Sequence, residues 1–279
     1  MKHKGFTLIE IALFLAITGV LFMGIIAGTG NSLYEQRFND SVQSFAELLR
    51  SVYSQVSNPQ SIGDGRSDTA IYGKLISFGQ KVGLMGEDLD SSEQVIFIYD
   101  VVGKVNTAGE GGTGSVTDAL KQLNANVAVV KERSNGVITK MEPAGEVESY
   151  MPRWGAAIEK TGIITSEPDR QMDLFTGSIL VVRHPRSGTI HTLYSEEIIE
   201  VNENLEKGSQ NEDYEEAINM LTNVLSTFKT QELDFCVDPN GTEVVSNNNR
   251  RDIRLVNNAR NASGVEIIDL DSNENKCRF

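Results

Sequence analysis

The opening thirty residues limit this chain more than any other stretch. Ile11 to Ala27 holds one weakly polar side chain, Thr18, and no charge. Counted from Phe6 to Thr29, a helix of 24 residues is about 36 Å long, enough to cross a hydrocarbon layer about 30 Å thick. Lys2 and Lys4 precede it, which predicts that this end stays in the cytoplasm. Glu10 breaks the pattern, because a carboxylate inside an apolar span costs on the order of a few kcal/mol unless it is paired or near the interface.

The helical pattern does not stop at the bilayer. Phe38, Val42, Phe45, Leu49, Val52 and Val56 recur at steps of four and three, with Asn39, Asp40, Gln43, Glu47 and Arg50 on the other side. That is an amphipathic stripe, ready to pack on a sheet. Asn58-Pro59 predicts the stop, since the residue before a proline is steered out of the helical region. Gly28-Thr29-Gly30-Asn31 predicts a bend, with Asn31 or Ser32 capping a second half.

Lys4-Gly5-Phe6-Thr7-Leu8-Ile9-Glu10 followed by an apolar helix resembles the amino-terminal signal of type IV prepilins and type II secretion pseudopilins. The resemblance is specific over residues 4–30. It implies cleavage by a membrane prepilin peptidase between Gly5 and Phe6, N-methylation of Phe6, and an assembly role for Glu10, paired with the amino terminus of a neighbouring subunit. Many pilins also carry a glycine at the place of Gly19. They carry a helix-breaking proline where this chain has Ala27, so helix melting in a filament would fall to Gly19, Gly24 and Gly28. A conventional secretory signal cut near Gly28-Thr29-Gly30, or a plain anchor helix, explains neither Glu10 nor the Gly-Phe junction.

Composition agrees with an exported acidic domain. The formal charge is −14, and loss of Lys2 and Lys4 with the leader takes it to −16. Such a surface argues against general nucleic-acid binding. Cys236 and Cys277 are the only cysteines, and on the outer side of a membrane a single bridge is the simple expectation.

Along the head, 70–78 and 94–105 read as strands, and Ser115 caps a short helix to Leu123. Segments 127–130 and 136–141 pair about Asn135-Gly136, a hairpin dipeptide. Residues 142–153 read as loop, and Trp154, the only tryptophan, is expected to be buried. Segments 178–184 and 189–194 form the clearest hairpin. Residues 196–208 suit a helix, and 213–231 a longer one, with Ala217, Ile218, Leu221, Leu225 and Phe228 on one face. Strands follow at 233–237, 253–256 and 265–268. Phe235-Cys236-Val237-Asp238, Gly241 and Arg251-Asp252-Ile253-Arg254-Leu255 are similar to the carboxy-terminal strands of some minor pilins and pseudopilins.

No catalytic or cofactor motif is expected. The glycine-rich run 107–114 lacks the Lys-Ser/Thr ending of a phosphate loop. His184 and His191 have no carboxylate at ligand spacing. Asp269, Asp271 and Asn273 alternate like the start of a calcium loop, but the glycine and the distal glutamate are missing, so a solvated acidic tail is the simpler reading.

The expectation is therefore an α+β, pilin-like fold: a long amino-terminal helix packed on an antiparallel sheet, with an extra helix in the head. Its parts are a leader (1–5), a transmembrane helix (6–29), an amphipathic spine (30–57) and an extracellular head (58–279). The resemblance implies a structural filament subunit of the bacterial cytoplasmic membrane, extracellular once assembled. Its partners are other pilin subunits, the prepilin peptidase and membrane lipid. A head of roughly 220 residues, about a large single domain, favours a minor over a major pilin, with a secretion pseudopilin the alternative within the same class. The competing class is an enzyme or receptor domain tethered by the same helix.

Overall fold

A helix that gains apolar contacts on one face and loses no backbone hydrogen bond has no reason to break. A computed structural model of the chain describes residues 8–58, 69–80, 94–104, 115–122, 125–134, 137–143, 145–160, 175–184, 187–198, 225, 227–230, 232–238, 251–256, 261–268 and 277. In it α1 runs Leu8–Ser57, 50 residues, about 75 Å. The bend expected at 28–31 is not there, and neither Asn31 nor Ser32 caps a second half, because the helix continues through both. Glycines there cost about 1 kcal/mol each but keep every backbone bond, whereas a proline would remove one. The expected stop does occur: α1 ends at Ser57, and the Asn58 amide turns back to the Gln55 carbonyl at 3.3 Å.

Among the described residues twelve strands follow, all paired antiparallel: β1 (Thr69–Gln80), β2 (Gln94–Lys104), β3 (Ala128–Ser134), β4 (Val137–Pro143), β5 (Val147–Tyr150), β6 (Ala157–Lys160), β7 (Gly177–Arg183), β8 (Ile190–Ser195), β9 (Lys229–Thr230), β10 (Leu233–Asp238), β11 (Arg251–Leu255) and β12 (Val265–Ile268). They make a six-stranded sheet in the order β5-β2-β1-β7-β8-β9, a four-stranded sheet β12-β11-β10-β6, and the separate hairpin β3-β4. Helix and antiparallel sheets give the α+β class expected.

The strands of the large sheet are apolar on both faces, and each face has its own cover. Ile76, Ile96, Ile98, Ile179, Val181 and Ile190 face α1 and the small sheet in one core. The intervening Leu75, Tyr99, Val101, Leu180, Val182 and Leu193 face a second core, closed by the short helix α2 (Val116–Gln122), Ala125, Val127, Leu225 and Phe228. Ser115 caps α2 as expected: its hydroxyl accepts from the Asp118 amide at 3.3 Å, and its own amide donates to Asp118 Oδ2 at 3.3 Å, a reciprocal cap that satisfies the opening turn.

Two departures from the sequence reading have local causes. The stretch 142–153 is not all loop: β5 lies in it, held at the sheet edge by pairing Ile96–Tyr99 with Val147–Tyr150. Lys74 forms an ion pair with Asp100 at 2.8 Å and reaches Glu148 at 3.3 Å, while Asp100 accepts the Glu146 amide at 3.1 Å. A buried lysine and aspartate therefore fasten the entry to β5. The helix expected over 213–231 does not reach its predicted end, because Lys229–Thr230 is strand β9, paired with Leu193–Tyr194. The rest of that segment, and nearly all of 196–208, lies outside the described residues.

Candidate functional site

The feature with functional character is α1 itself, whose two halves have opposite surroundings. Leu8–Ile25 has a mean hydropathy of 2.4, and none of it is buried in the protein. Phe14, Leu15, Leu21, Phe22 and Met23 are all exposed. Thr18, the one hydroxyl of that window, donates to the Phe14 carbonyl at 2.7 Å and sits 3.1 Å from that of Leu15. The helix thus absorbs the one hydroxyl there, which suits a lipid or protein surround. A Cβ placed on Gly19 or Gly24 would meet nothing within 4 Å, so both are open surface where another helix can approach closely. Glu10 lies in the first turn and is exposed. Gly5 and Phe6 lie outside the described residues, as do Asp269, Asp271 and Asn273.

The other half is locked into the head. All six residues of the predicted stripe are buried, and Ala46 and Tyr53 join them. Phe45 meets Phe78 and Phe235 edge-on at 6.4 and 6.0 Å, and Phe175 packs on Phe78 at 4.6 Å and Phe235 at 4.9 Å. Such ring pairs add about 0.5–1.5 kcal/mol each beyond burial. Tyr53 shares a buried hydrogen bond with Thr192 of β8. Burial pushes the Tyr53 phenol up to about 12, and the Thr192 bond offsets only part of that. Tyr150 donates to Ser44 at 3.3 Å, and Arg50 to the Val265 carbonyl at 3.4 Å.

The far end of α1 has no basic residue in its last turn. The head supplies one: Arg183 Nη1 donates to the Ser57 carbonyl at 2.7 Å. A guanidinium there answers both an unpaired helix-end carbonyl and the negative end of the helix dipole. The two sheets are tied by Gln94, whose Nε2 donates to the carbonyls of Phe175 at 2.9 Å and Ile158 at 3.3 Å, while its Oε1 accepts the Ile158 amide at 3.1 Å. Cys236 of β10 and Cys277 form a disulfide with Cα atoms 5.5 Å apart, within the usual range. His184 and His191 stand 6.2 Å apart by ring centroids at one end of the β7-β8 hairpin. Burial, and then the neighbouring His184, hold His191 below its ordinary value.

Trp154 is not buried; it is 58% exposed. It lies in a single 3-10 turn, Arg153–Gly155, with φ 59° and ψ 28°. That left-handed backbone costs a non-glycine residue on the order of 1–2 kcal/mol and turns the indole outward, where the Arg37 guanidinium covers it at 4.9 Å. The expectation of burial rested on apolar area alone, and the backbone conformation overrides it.

Comparison with family models, with curated proteins and with solved structures gives no match.

Proposed function

We propose that this chain is a structural subunit of a type IV pilus or a related filament, in the minor-pilin class. In this reading prepilin peptidase cuts between Gly5 and Phe6, Phe6 is N-methylated, and the mature helix holds the subunit in the membrane until assembly. The observation that carries the reading is the division of α1. An uncovered apolar half bears a carboxylate in its first turn, while the continuous remainder forms the spine of a head. A removable signal would not be expected to continue without a break into an element of the core. In a filament the apolar halves would cover one another, and Glu10 would meet the Phe6 amine of a neighbour, a charge pair that relieves the cost of a carboxylate in an apolar surround.

The test is incorporation. Gly5→Leu should leave uncut precursor in the membrane, read by mass spectrometry of the amino terminus. Glu10→Ala should be cut and inserted normally but enter purified filaments poorly. Native-level incorporation of the Glu10→Ala chain would refute the assembly role, and a Phe6 amino terminus in the Gly5→Leu chain would refute the processing site.

A further inference from the structure

We infer that the base of the head carries a docking site for anionic lipid headgroups, built from Tyr34, Arg37, Arg153 and Trp154. This deepens the reading above, since it rests on α1 crossing a bilayer. Tyr34, Arg37, Phe38 and Ser41 lie on one face of α1 and meet Arg153, Trp154 and Ala156 around a groove of about 290 Å³. Tyr34 and Trp154 are exposed on its rim. Two guanidiniums on a chain of net charge −14 make this groove locally basic.

Its height is set by the helix. Tyr34 is five residues beyond Thr29 along an unbroken α1, about 7.5 Å at the helical rise. The polar layer outside the hydrocarbon is about 5–8 Å thick on each side. Side chains on a helix tilt toward its amino terminus, which here is the membrane, so Tyr34 leans back into that layer, and Arg37, its backbone about 12 Å beyond Thr29, reaches down toward it. Aromatic rings and arginines are the residue types that settle at the interface, the ring amphipathic and the guanidinium a bidentate partner for phosphate. The left-handed Trp154 fits the same account. The backbone holds outward a large apolar ring that burial in the core would otherwise favour, and Arg37 stacks on its face. Docking would fix the tilt of the head over the membrane before assembly, and extraction into a filament would have to break it.

Trp154 is the only tryptophan and reports on the site directly. The full-length chain is reconstituted in phosphatidylglycerol–phosphatidylcholine vesicles, and insertion is scored separately by flotation after alkaline washing. The expected result is quenching of Trp154 by lipids brominated near the headgroup more than by lipids brominated at the bilayer centre, with protection from aqueous iodide. Protection should fall when phosphatidylglycerol is omitted. It should also fall in Arg37→Gln and Arg153→Gln, the docked-to-undocked ratio dropping about fivefold for each guanidinium removed. An inserted chain whose Trp154 stays open to iodide and untouched by bromolipid overturns this inference alone. Failure to float after alkaline washing overturns the membrane-spanning reading, and this one with it. Protection that follows protein density in the bilayer rather than lipid charge assigns the groove to a neighbouring copy and also overturns it.

Discussion

Gln94 offers the sharpest test of how the head is held together. Its side chain acts as a short extra strand along the open edge of β6, taking the Ile158 amide and giving both its protons to the carbonyls of Ile158 and Phe175. It is 4% exposed. In Gln94→Ala the Ile158 carbonyl keeps a partner, because the Phe175 amide also donates to it at 2.8 Å. The Ile158 amide and the Phe175 carbonyl lose the Gln94 bonds, and a buried polar group left without a partner costs about 1–3 kcal/mol. The two together predict a loss of about 2–6 kcal/mol. At about 2–4 °C per kcal/mol for a chain of this size, the melting temperature read by circular dichroism should fall by about 4–24 °C. Gln94→Glu keeps the shape but turns a carboxylate toward two carbonyl oxygens. Its folded-state pKa is therefore raised above the unfolded value. A group raised in this way is best tolerated below its unfolded pKa and loses ground as pH rises through the folded one. The Glu variant should thus be closer to wild type in mild acid than at neutral pH. A Gln94→Ala chain that melts within about 2 °C of wild type, less than the shift for about 1 kcal/mol, would refute the bridging role.

Tyr53→Phe should lose about 0.5–1.5 kcal/mol, the net worth of its buried hydrogen bond to Thr192, as urea titration would show. Because the Tyr53 phenol is raised from 10.0 to about 12, its contribution is complete below the unfolded value and is lost as pH climbs through the folded one. Wild type should therefore lose about 3 kcal/mol more than Tyr53→Phe across that window. Arg183→Leu should cost about 1–2 kcal/mol and quicken amide exchange in the last turn of α1 while leaving the small sheet unchanged; equal exchange in both would count against the cap. Replacing Cys236 and Cys277 together by Ser opens a loop with a sequence separation of 41 and should lower stability by about 4 kcal/mol on the chain-entropy account. A melting curve indifferent to reductant would contradict it.

What the sequence alone determined is what neighbours along the chain enforce. The stripe from Phe38 to Val56 fixes which face of α1 is buried, Asn58-Pro59 fixes its end, and Ser115 starts α2. Each is a periodicity or a backbone preference acting within a few residues, and so it can be read without a fold. The tertiary structure decided the contacts whose partners lie far apart in sequence. Arg183 reaches a helix end 126 residues away, Gln94 joins two sheets across 64 and 81 residues, and Tyr53 finds Thr192 across 139. β5 is a strand only because the β2 edge lies beside it, and Lys229–Thr230 leave the expected helix only because β8 is there to pair. Trp154 is exposed because a left-handed turn beneath α1 points it outward. A side chain's hydrogen-bond partner, and the value of an open strand edge, depend on distances that folding creates, and a linear pattern carries no record of them.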